Sequence, residues 1–476
     1  MTKSSGTILD GDSRPRRGEA QDGPSTKSSG TILDGDSRPD GRGAGTEPRN
    51  SSTPAVAEAA AERVGRFRWV ICALLFAATA LNYVDRQIIG ILQPLLAQKF
   101  HWSEIDYSNI VFSFQLAYAV GYIVFGKLID RIGARAGYAI AVAIWTVAHI
   151  AHAWASSLTD FIVARFAIGL GESGNFPSGL KAVAEWFPKR ERALATGIFN
   201  AGANVGAIVT PLIVPGITLT LGWQAAFLIT GSFTVIWLVV WLAVYRQPRA
   251  HSRLGTAELA LIESDPPDPV VSIPWLRLLT VRETWAYALG KFLIDPVWWM
   301  WLFWLPDFLV KRHHLDLKTF GPPLVAIYIL SDLGSIAGGW MSSRMLHAGF
   351  SLNAARKSAM LVCAVLVLPV FAVAYVNSLW GAVAIVGLAT AAHQGFSCNL
   401  FTLPSDVFPR RAVGSLIGIG GTAGAIGGML LTKYAGWVLE RVGSFKPIFI
   451  VAGSVYLLAL LVVHLLSPRL APARLE

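Results

Sequence analysis

The chain has 476 residues, of which 53% are hydrophobic and only 15% are Asp, Glu, Lys or Arg, whereas charged residues make up about 25% of a typical soluble domain. The mean hydropathy of +0.50 and the many long apolar runs exclude a soluble globular domain. The net charge of +10 comes from basic residues in short loops between these runs. This placement indicates membrane orientation and argues against nucleic-acid binding.

The first 65 or so residues differ in composition from the rest of the chain. TKSSGTILDGDSRP occurs at 2–15 and again at 26–39, in a region rich in Gly, Ser, Asp, Arg and Pro. Such a segment buries too little apolar surface to offset the entropy lost on ordering. We therefore predict a disordered cytoplasmic tail over 1–66, which is not a signal peptide because it lacks an apolar segment.

Twelve apolar runs follow, each long enough to cross a bilayer as a helix. They cover residues 69–92, 108–129, 136–155, 158–182, 193–214, 224–245, 283–308, 322–342, 356–376, 379–402, 412–436 and 444–466. The runs do not alternate at period two, which argues against a β-barrel. We predict an all-α polytopic membrane protein with six-helix halves over 67–246 and 282–467, a cytoplasmic linker over 247–281 and a cytoplasmic tail over 468–476.

Basic residues concentrate in the loops on one side of the predicted membrane. These residues are Arg66, Arg68, Lys127, Arg131, Arg135, Lys189, Arg190, Arg192, Arg344, Arg356, Lys357, Arg410 and Arg411. The opposite loops carry few basic residues, mainly Lys311, Arg312 and Lys318. The positive-inside rule then places both termini and the linker in the cytoplasm of a bacterial inner membrane. Cys72, Cys363 and Cys398 all lie in apolar runs, so we expect no disulfide, no metal site and no cofactor.

Two sequence patterns recur at matched positions in the halves. GKLIDRIGAR follows the second span at 126–135, and GWMSSRMLHA follows the eighth at 339–348. WFPKRERA follows the fourth span at 186–193, and VFPRRAVG follows the tenth at 407–414. This pattern predicts a parallel repeat of six helices, with a substrate site between the halves near the membrane midplane.

Asp85 and Arg86 lie within the first span, in the stretch LNYVDRQ. A charged residue at the centre of a membrane helix costs about 2.5–3.5 kcal/mol on insertion, so such residues tend to face a cavity or a partner. Adjacent side chains on a helix diverge by about 100° and therefore face different neighbours. We interpret Arg86 as an anion clamp in the cavity and Asp85 as a proton carrier. The alternative is a structural ion pair with a neighbouring helix.

The fourth span contains RFAIGLGESGNFPSG, in which Arg165 and Glu172 are seven residues apart and share one helix face. A guanidinium group forms two parallel hydrogen bonds with a carboxylate, which suits a sugar acid. A buried carboxyl group beside a cation is subject to opposing effects on its protonation, as a proton-coupling site requires. The alternative is a buried Arg–Glu bridge without a transport role.

Further polar and aromatic residues occur within the spans. The candidates for contact with substrate hydroxyls are Tyr118, Asn175, Asn204, Gln394, Ser397 and Asn399. For Asn175, a helix–helix hydrogen bond is an equal alternative. Trp298 is a candidate because a sugar ring stacks on indole. His393 is interpreted first as a structural hydrogen-bonding residue, and His149 and His152, near the outer end of the third span, receive no special role.

Two pairs of charged residues are candidate gates. Lys291 and Asp295 are four residues apart in the seventh span, on one face with Trp298. They form either a gate or a pair that supports the shape of the helix. Asp130 and Arg131, in the loop after the second span, could hold the halves together on the cytoplasmic side. The alternative for that loop is an ordinary positive-inside cluster, which leaves Asp130 unexplained.

The motif Gly126-x3-Asp130-Arg131-x-Gly133-x-Arg135 resembles the loop signature of the major facilitator superfamily. LNYVDRQ, RFAIGLGESGNFPSG, WFPKRERALATGIFNAGANVGA, KFLIDPVWWMWLFWLP and NLFTLPSDVFP resemble the anion:cation symporters within it, and most of all the bacterial hexuronate transporters. The resemblance extends from about residue 67 to 467.

The resemblance implies that Arg86 and Arg165 bind the substrate carboxylate, while Asp85 and Glu172 carry protons. We expect a symporter that moves a sugar acid with protons by alternating access. The sequence contains no catalytic constellation, so we expect no enzyme, and we expect a monomer. The alternatives are a symporter for another organic anion, such as an aldonate or an aromatic carboxylate, a drug/proton antiporter, and a non-transporting receptor.

Overall fold

The computed structural model describes residues 65–265, 275–319 and 321–473, and within these ranges every regular element is a helix. The predicted tail over 1–66, with its sequence repeat, lies outside the described residues except for its last two positions. The described part of the chain begins to be helical at Phe67, close to the predicted start of the N-terminal half.

Six helices form the N-terminal half. They are α1, Phe67–Phe100; α2, Glu104–Ala151; α3, Leu158–Glu172; α4, Asn175–Trp186; α5, Lys189–Leu221; and α6, Trp223–Val244. A short 3-10 helix, His152–Trp154, follows α2. The long helix α2 is broken at Gly133, whose φ of 83° and ψ of 166° are not helical. A φ in this region favours glycine, so the chain can bend there and cross the membrane a second time.

The linker and the C-terminal half contribute eight further helices within the described ranges. They are α7, Thr256–Ile262; α8, Trp275–Leu279; α9, Arg282–His313; α10, Gly321–His347; α11, Leu352–Val367; α12, Leu379–Val407; α13, Arg410–Val442; and α14, Lys446–Leu466. Two 3-10 helices, Pro248–Ala250 and Leu368–Tyr375, lie in the linker and after α11.

Ten helices in the described ranges are long and apolar enough to cross a membrane. One of them, the 51 residues of Glu104–Trp154, contains the Gly133 break and therefore supplies two crossings. The helices α3 and α4 are each shorter than a bilayer and together supply the predicted span 158–182. These numbers add up to the twelve predicted spans, and the predicted all-α membrane fold is confirmed.

Serine caps begin several helices at short loops. The Ser103 hydroxyl accepts a hydrogen bond from the Asp106 backbone N–H at 3.1 Å, and the Asp106 carboxylate accepts one from the Ser103 N–H at 3.0 Å. Ser157 and Asp160 form the same capping box at the start of α3. These reciprocal bonds satisfy backbone donors that a helix start leaves unpaired. They fix where the chain re-enters the bundle after α1 and after α2.

The helices pack in the same order in both halves. In the N-terminal half α1 packs against α5 and α2 against α3, and in the C-terminal half α9 packs against α13 and α10 against α12. Glycines permit some of these contacts, since a Cβ on Gly202 would lie 2.3 Å from the Phe76 carbonyl oxygen of α1. Between the halves, α2 packs against α13, α5 against α10, and α1 against α9. The predicted six-helix repeat is therefore present in the packing.

We call the end of the bundle where α1 begins the terminal face, and the opposite end the far face. Polar contacts between the halves lie toward the far face. They join Tyr107 to Phe303 at 2.9 Å, Thr432 to Gln115 at 2.9 Å, Glu104 to Glu440 at 3.0 Å, Lys311 to Glu104, and Lys433 to Asn109. At the terminal face, by contrast, the ion pairs Lys181–Asp130 and Arg356–Asp406 each lie within one half. This conformation is therefore closed at the far face.

Candidate functional site

Arg86 of α1 lies at the centre of the bundle, with only 3% of its surface exposed. Its Nε donates a hydrogen bond to Glu172 Oε2 of α3 at 2.8 Å, and its Nη2 donates one to Asn82 Oδ1 at 3.0 Å. Glu172 is fully buried, and its second carboxylate oxygen has no hydrogen-bond partner among the described residues. The charged residues of the first and fourth predicted spans therefore meet, in an ion pair of the kind that the sequence analysis gave as the alternative for Arg86.

Four aromatic rings surround the Arg86 guanidinium group. Its central carbon lies 4.7 Å from the ring centre of Tyr83, 5.0 Å from Tyr118, 5.3 Å from Trp299 and 5.5 Å from Phe114. A desolvated cation–π contact contributes about 2 kcal/mol. Trp299 comes from α9, so this enclosure spans both halves of the protein. Tyr118 was predicted from the sequence, whereas Trp299 was not singled out from its tryptophan-rich run.

Arg165 of α3 is fully buried beside this enclosure. Its guanidinium carbon lies 4.6 Å from the centre of the Phe114 ring, and its Nη2 donates a long hydrogen bond of 3.4 Å to the Arg86 carbonyl oxygen. Its Nε and Nη1 atoms have no hydrogen-bond partner among the described residues. Such buried donors are costly unless they meet an acceptor, and a carboxylate fits a guanidinium edge. Glu172 bridges to Arg86, although the sequence analysis considered it with Arg165.

Asp85 faces away from Arg86, into the N-terminal half. Its Oδ2 accepts a hydrogen bond from the Thr234 hydroxyl of α6 at 3.1 Å, and its Oδ1 lies 3.3 Å from His149 Nε2 of α2. All three side chains are fully buried. The expected divergence of Asp85 and Arg86 is confirmed. The sequence analysis gave His149 no special role, and this interpretation is corrected because His149 contacts the buried carboxylate.

The candidates in the seventh span form two separate contacts. Lys291 Nζ lies 2.7 Å from Asp295 Oδ2, and the same ammonium group lies 3.7 Å from the centre of the Phe401 ring. Trp298 instead stacks on His393, with ring centres 5.4 Å apart and planes inclined by 9°. The predicted Lys291–Asp295 pair is therefore present, and Trp298 connects α9 with α12 within the C-terminal half.

Two predicted amide candidates are engaged in helix–helix contacts. The Asn175 amide oxygen accepts a hydrogen bond from the Tyr138 hydroxyl, and its nitrogen donates to the Thr79 hydroxyl at 3.3 Å. The Asn399 nitrogen donates to the carbonyl oxygens of Gly338 and Gly395 at 3.1 and 2.9 Å. Both side chains are fully buried. For Asn175 this is the second alternative of the sequence analysis.

The remaining candidates differ in exposure. Ser397 is buried on α12, while Gln394 on α12 and Asn204 on α5 are half-buried.

The two gate candidates Asp130 and Arg131 are exposed at the terminal face. Asp130 Oδ1 lies 3.5 Å from Lys181 Nζ of α4, within its own half. The Asp130–Lys181 contact lies within the N-terminal half, so it does not join the two halves at the terminal face. In the present conformation the halves are joined at the far face.

Sequence reasoning missed two buried glutamines near the centre. Gln87, next to Arg86, is 2% exposed, and neither its amide oxygen nor its nitrogen has a hydrogen-bond partner among the described residues. Gln115 accepts from Thr432 across the halves, and its nitrogen also lacks such a partner. Both glutamines are polar residues within apolar runs, and this is the sequence feature that could have identified them. In the first span the sequence analysis considered only the charged residues next to Gln87. These amides add unpaired donors and an unpaired acceptor to the region around Arg86.

A model of the Major Facilitator Superfamily matches residues 75–432. The chain belongs to the major facilitator superfamily. The hexuronate transporter of Escherichia coli strain K12 is 32% identical over 407 residues, which cover 84% of this chain and 94% of that protein. The D-galactonate transporter of Escherichia coli O6:H1 is 28% identical, with coverage of 84% and 96%. The crystal structure of a D-xylose–proton symporter is 16% identical with a TM-score of 0.67, covering 84% and 97%.

Membership in the superfamily confirms the resemblance drawn from the sequence motifs. The curated relatives are transporters and not enzymes, and they are homologous to this chain over most of their length. The protein is therefore a multi-pass membrane transporter, homologous to hexuronate and aldonate transporters. The solved structure, at low identity, shares the fold alone.

Proposed function

We propose that the protein is a proton-coupled symporter that imports a sugar acid, with hexuronate as the substrate. The observation that carries the proposal is the fully buried Arg165, whose Nε and Nη1 donors have no hydrogen-bond partner among the described residues. An uncompensated buried charge costs about 3–5 kcal/mol. A substrate carboxylate would receive both donors and neutralise the cation.

The charge balance of the site supports a monoanion. While Glu172 is ionised its carboxylate pairs with Arg86, which leaves the positive charge of Arg165 for a substrate carboxylate to neutralise. A lipophilic cation would increase this imbalance, so the site disfavours the drug antiporter alternative. A hexuronate or an aldonate carries the required single carboxylate.

The rest of the substrate would lie against aromatic and polar groups. Tyr118 and Trp299 line the Arg86 enclosure with ring faces, on which a sugar C–H face stacks. Gln87 and Gln115 carry amide atoms without a partner among the described residues, which suit hydroxyl groups. From the C-terminal half we retain Gln394 and Ser397 as candidates.

For proton coupling we propose Asp85 and Glu172, which lie on different sides of α1. Glu172 bridges Arg86 at 2.8 Å, so its protonation would release that guanidinium group. Arg86 would then bind the substrate carboxylate together with Arg165. Proton uptake and substrate binding are thereby linked through one ion pair.

The remaining predictions concern gates and membrane orientation. We propose that Asp130 and Arg131 form a gate at the terminal face, and that Lys291 and Asp295 respond to movement of α9. The charge distribution supports a cytoplasmic terminal face in a bacterial inner membrane. With that orientation the present conformation, closed at the far face, is inward-facing. We propose that the protein functions as a monomer.

Uptake into proteoliposomes tests this function. Labelled glucuronate, galactonate and the dicarboxylate galactarate would be compared under an inward proton gradient. We expect glucuronate to accumulate most and galactarate least, because Arg86 and Arg165 bind one carboxylate together and the second carboxylate of galactarate would find no unpaired buried cation among the described residues. Preferential accumulation of galactonate would favour the aldonate alternative. No accumulation of any of the three by folded protein would contradict the proposal.

The membrane potential distinguishes the proton stoichiometry. One proton with one monoanion moves no net charge, whereas two protons move one positive charge. In the second case a potential of about 100 mV adds about 2.3 kcal/mol, or roughly fiftyfold accumulation. Two candidate proton sites support the second stoichiometry, so we expect a potassium diffusion potential, negative inside, to increase uptake.

A further inference from the structure

A second cluster of buried polar groups lies within the N-terminal half. His149 is fully buried, and its Nε2 lies 3.3 Å from Asp85 Oδ1 and 2.8 Å from the Thr230 hydroxyl oxygen. The other carboxylate oxygen of Asp85 accepts from Thr234 at 3.1 Å. The carboxylate of α1 is therefore enclosed by an imidazole ring from α2 and by hydroxyl groups from α6.

The hydrogen bonds of Thr230 assign the proton on the histidine ring. The Thr230 hydroxyl lies 2.8 Å from the Ala226 carbonyl oxygen, which can only accept, so the hydroxyl donates there. A hydroxyl has one hydrogen, and Thr230 must therefore accept from His149 Nε2–H. The same nitrogen lies 3.3 Å from Asp85 Oδ1, an oxygen that has no hydrogen-bond partner among the described residues. The opposite ring nitrogen, Nδ1, has no hydrogen-bond partner among the described residues.

The charged and titratable groups around His149 come from three elements. Asp85 faces it from α1, and the His152 ring of the following 3-10 helix lies 6.3 Å away between centres. Arg165 of α3 acts on both histidines electrostatically. The polar contacts from α6 are hydroxyl groups, and the Phe227 ring of α6 packs against the imidazole with ring centres 5.2 Å apart. Asp85 is thus the only anion in contact with the His149 ring within the described residues.

We propose that Asp85 and His149 act as one proton site, in which His149 positions the carboxylate and exchanges its proton. A proton that binds the free Nδ1 atom converts the ring to imidazolium. The Nε2–H bond then breaks as an O–H bond forms on Asp85 Oδ1, and the ring remains neutral with its hydrogen on Nδ1. The reverse sequence releases the proton, and no other reactant is needed.

This arrangement separates the proton from the substrate. Arg86 and Arg165 offer donors to the anion on one side of α1, while Asp85 faces α2 and α6. A change at His149 should therefore affect coupling more than substrate exchange. The inference rests on the proposed function, because coupling is measured with the transported anion.

The test is His149→Gln, with His152→Gln as a matched control. Glutamine retains an N–H donor for Thr230 but cannot ionise or exchange a proton. His152 is equally buried and lies near the same helix end, but its Nδ1 contacts the Ala148 carbonyl oxygen and not a carboxylate. Purified variants would be compared by size-exclusion profile and thermal stability. Gradient-driven accumulation and substrate counterflow, which needs no net proton movement, would then be measured in proteoliposomes.

We expect His149→Gln to reduce gradient-driven accumulation by about tenfold or more, with a much smaller effect on counterflow, and His152→Gln to match the wild type in both assays. Wild-type accumulation by His149→Gln, or an equal loss in both variants, would overturn the inference while leaving the proposed function intact. If the wild type transports none of the tested anions in either assay, the proposed function itself fails. An equal fall of accumulation and counterflow in a well-folded His149→Gln protein would also overturn the inference, since a residue confined to the proton site spares exchange.

Discussion

Replacing Arg165 tests the proposed binding site most specifically. Two donors of its fully buried guanidinium group, Nε and Nη1, have no hydrogen-bond partner among the described residues and would both bind the substrate carboxylate. A hydrogen bond to a charged group contributes about 1.5–3 kcal/mol. Arg165→Lys keeps the positive charge but replaces a two-pronged contact with a single ammonium group. One such bond is lost, which predicts a Kd about 10- to 150-fold higher.

Arg165→Ala should have a larger effect. With the cation removed, Arg86 is the guanidinium group that remains for both carboxylates, so while Glu172 is ionised either Glu172 or the substrate is left without its partner. A buried ion left without its partner costs about 3–5 kcal/mol. Binding should therefore weaken beyond the range of the lysine variant.

Isothermal titration of glucuronate into purified protein measures both changes. Arg249→Lys is the matched control, because Arg249 is exposed in the linker, where it pairs with Glu263. Size-exclusion profiles and melting temperatures establish that the variants are folded. A folded Arg165→Lys protein with wild-type affinity for a transported anion would refute the reasoning.

Three further changes test other parts of the structure. Glu172→Gln retains an acceptor for Arg86 but cannot bind a proton, so gradient-driven uptake should be lost while counterflow persists. Lys311→Met removes the ion pair with Glu104 between the halves, so spin labels on the two halves should report a larger open fraction at the far face. Glu258→Gln weakens three hydrogen bonds to the start of α1. A hydrogen bond to a charged group contributes about 1.5–3 kcal/mol, so the melting temperature should fall. Glu263→Gln, at an exposed linker site, should leave it nearly unchanged.

Each of these expectations has a contradicting result. Wild-type accumulation by Glu172→Gln would exclude that carboxyl group from coupling. An unchanged distance distribution in Lys311→Met would mean that the ion pair does not hold the far face closed. Equal melting temperatures for Glu258→Gln and Glu263→Gln would show that the buried linker contact does not stabilise the bundle.

The fold could be predicted because membrane helices are specified locally by length and hydropathy. The break at Gly133 was contained in the loop signature, and it separates two spans that the structure joins in one long helix. The boundaries were less certain. α1 continues to Phe100, beyond the predicted end at 92, because an apolar run marks where a helix crosses the membrane and not where its backbone hydrogen bonds stop.

The site was predictable only as far as single helices specify it. The divergence of Asp85 and Arg86 follows from helix geometry, which is a local property. The partners do not follow, since Glu172 meets Arg86 only after α1 and α3 pack together. His149 was overlooked for the same reason, because its importance depends on α1 and α6, which are distant in the sequence. Trp299 could not be separated from its tryptophan neighbours without the packing of α9 against the N-terminal half.

The central claim is most directly tested by uptake of labelled glucuronate into proteoliposomes under an inward proton gradient, with Arg165→Ala protein as the control. We expect accumulation that collapses when a protonophore is added and that is lost in the variant. Uptake by the wild type that is insensitive to the protonophore, or equal uptake by the folded Arg165→Ala protein, would contradict proton-coupled transport of an anion bound by Arg165.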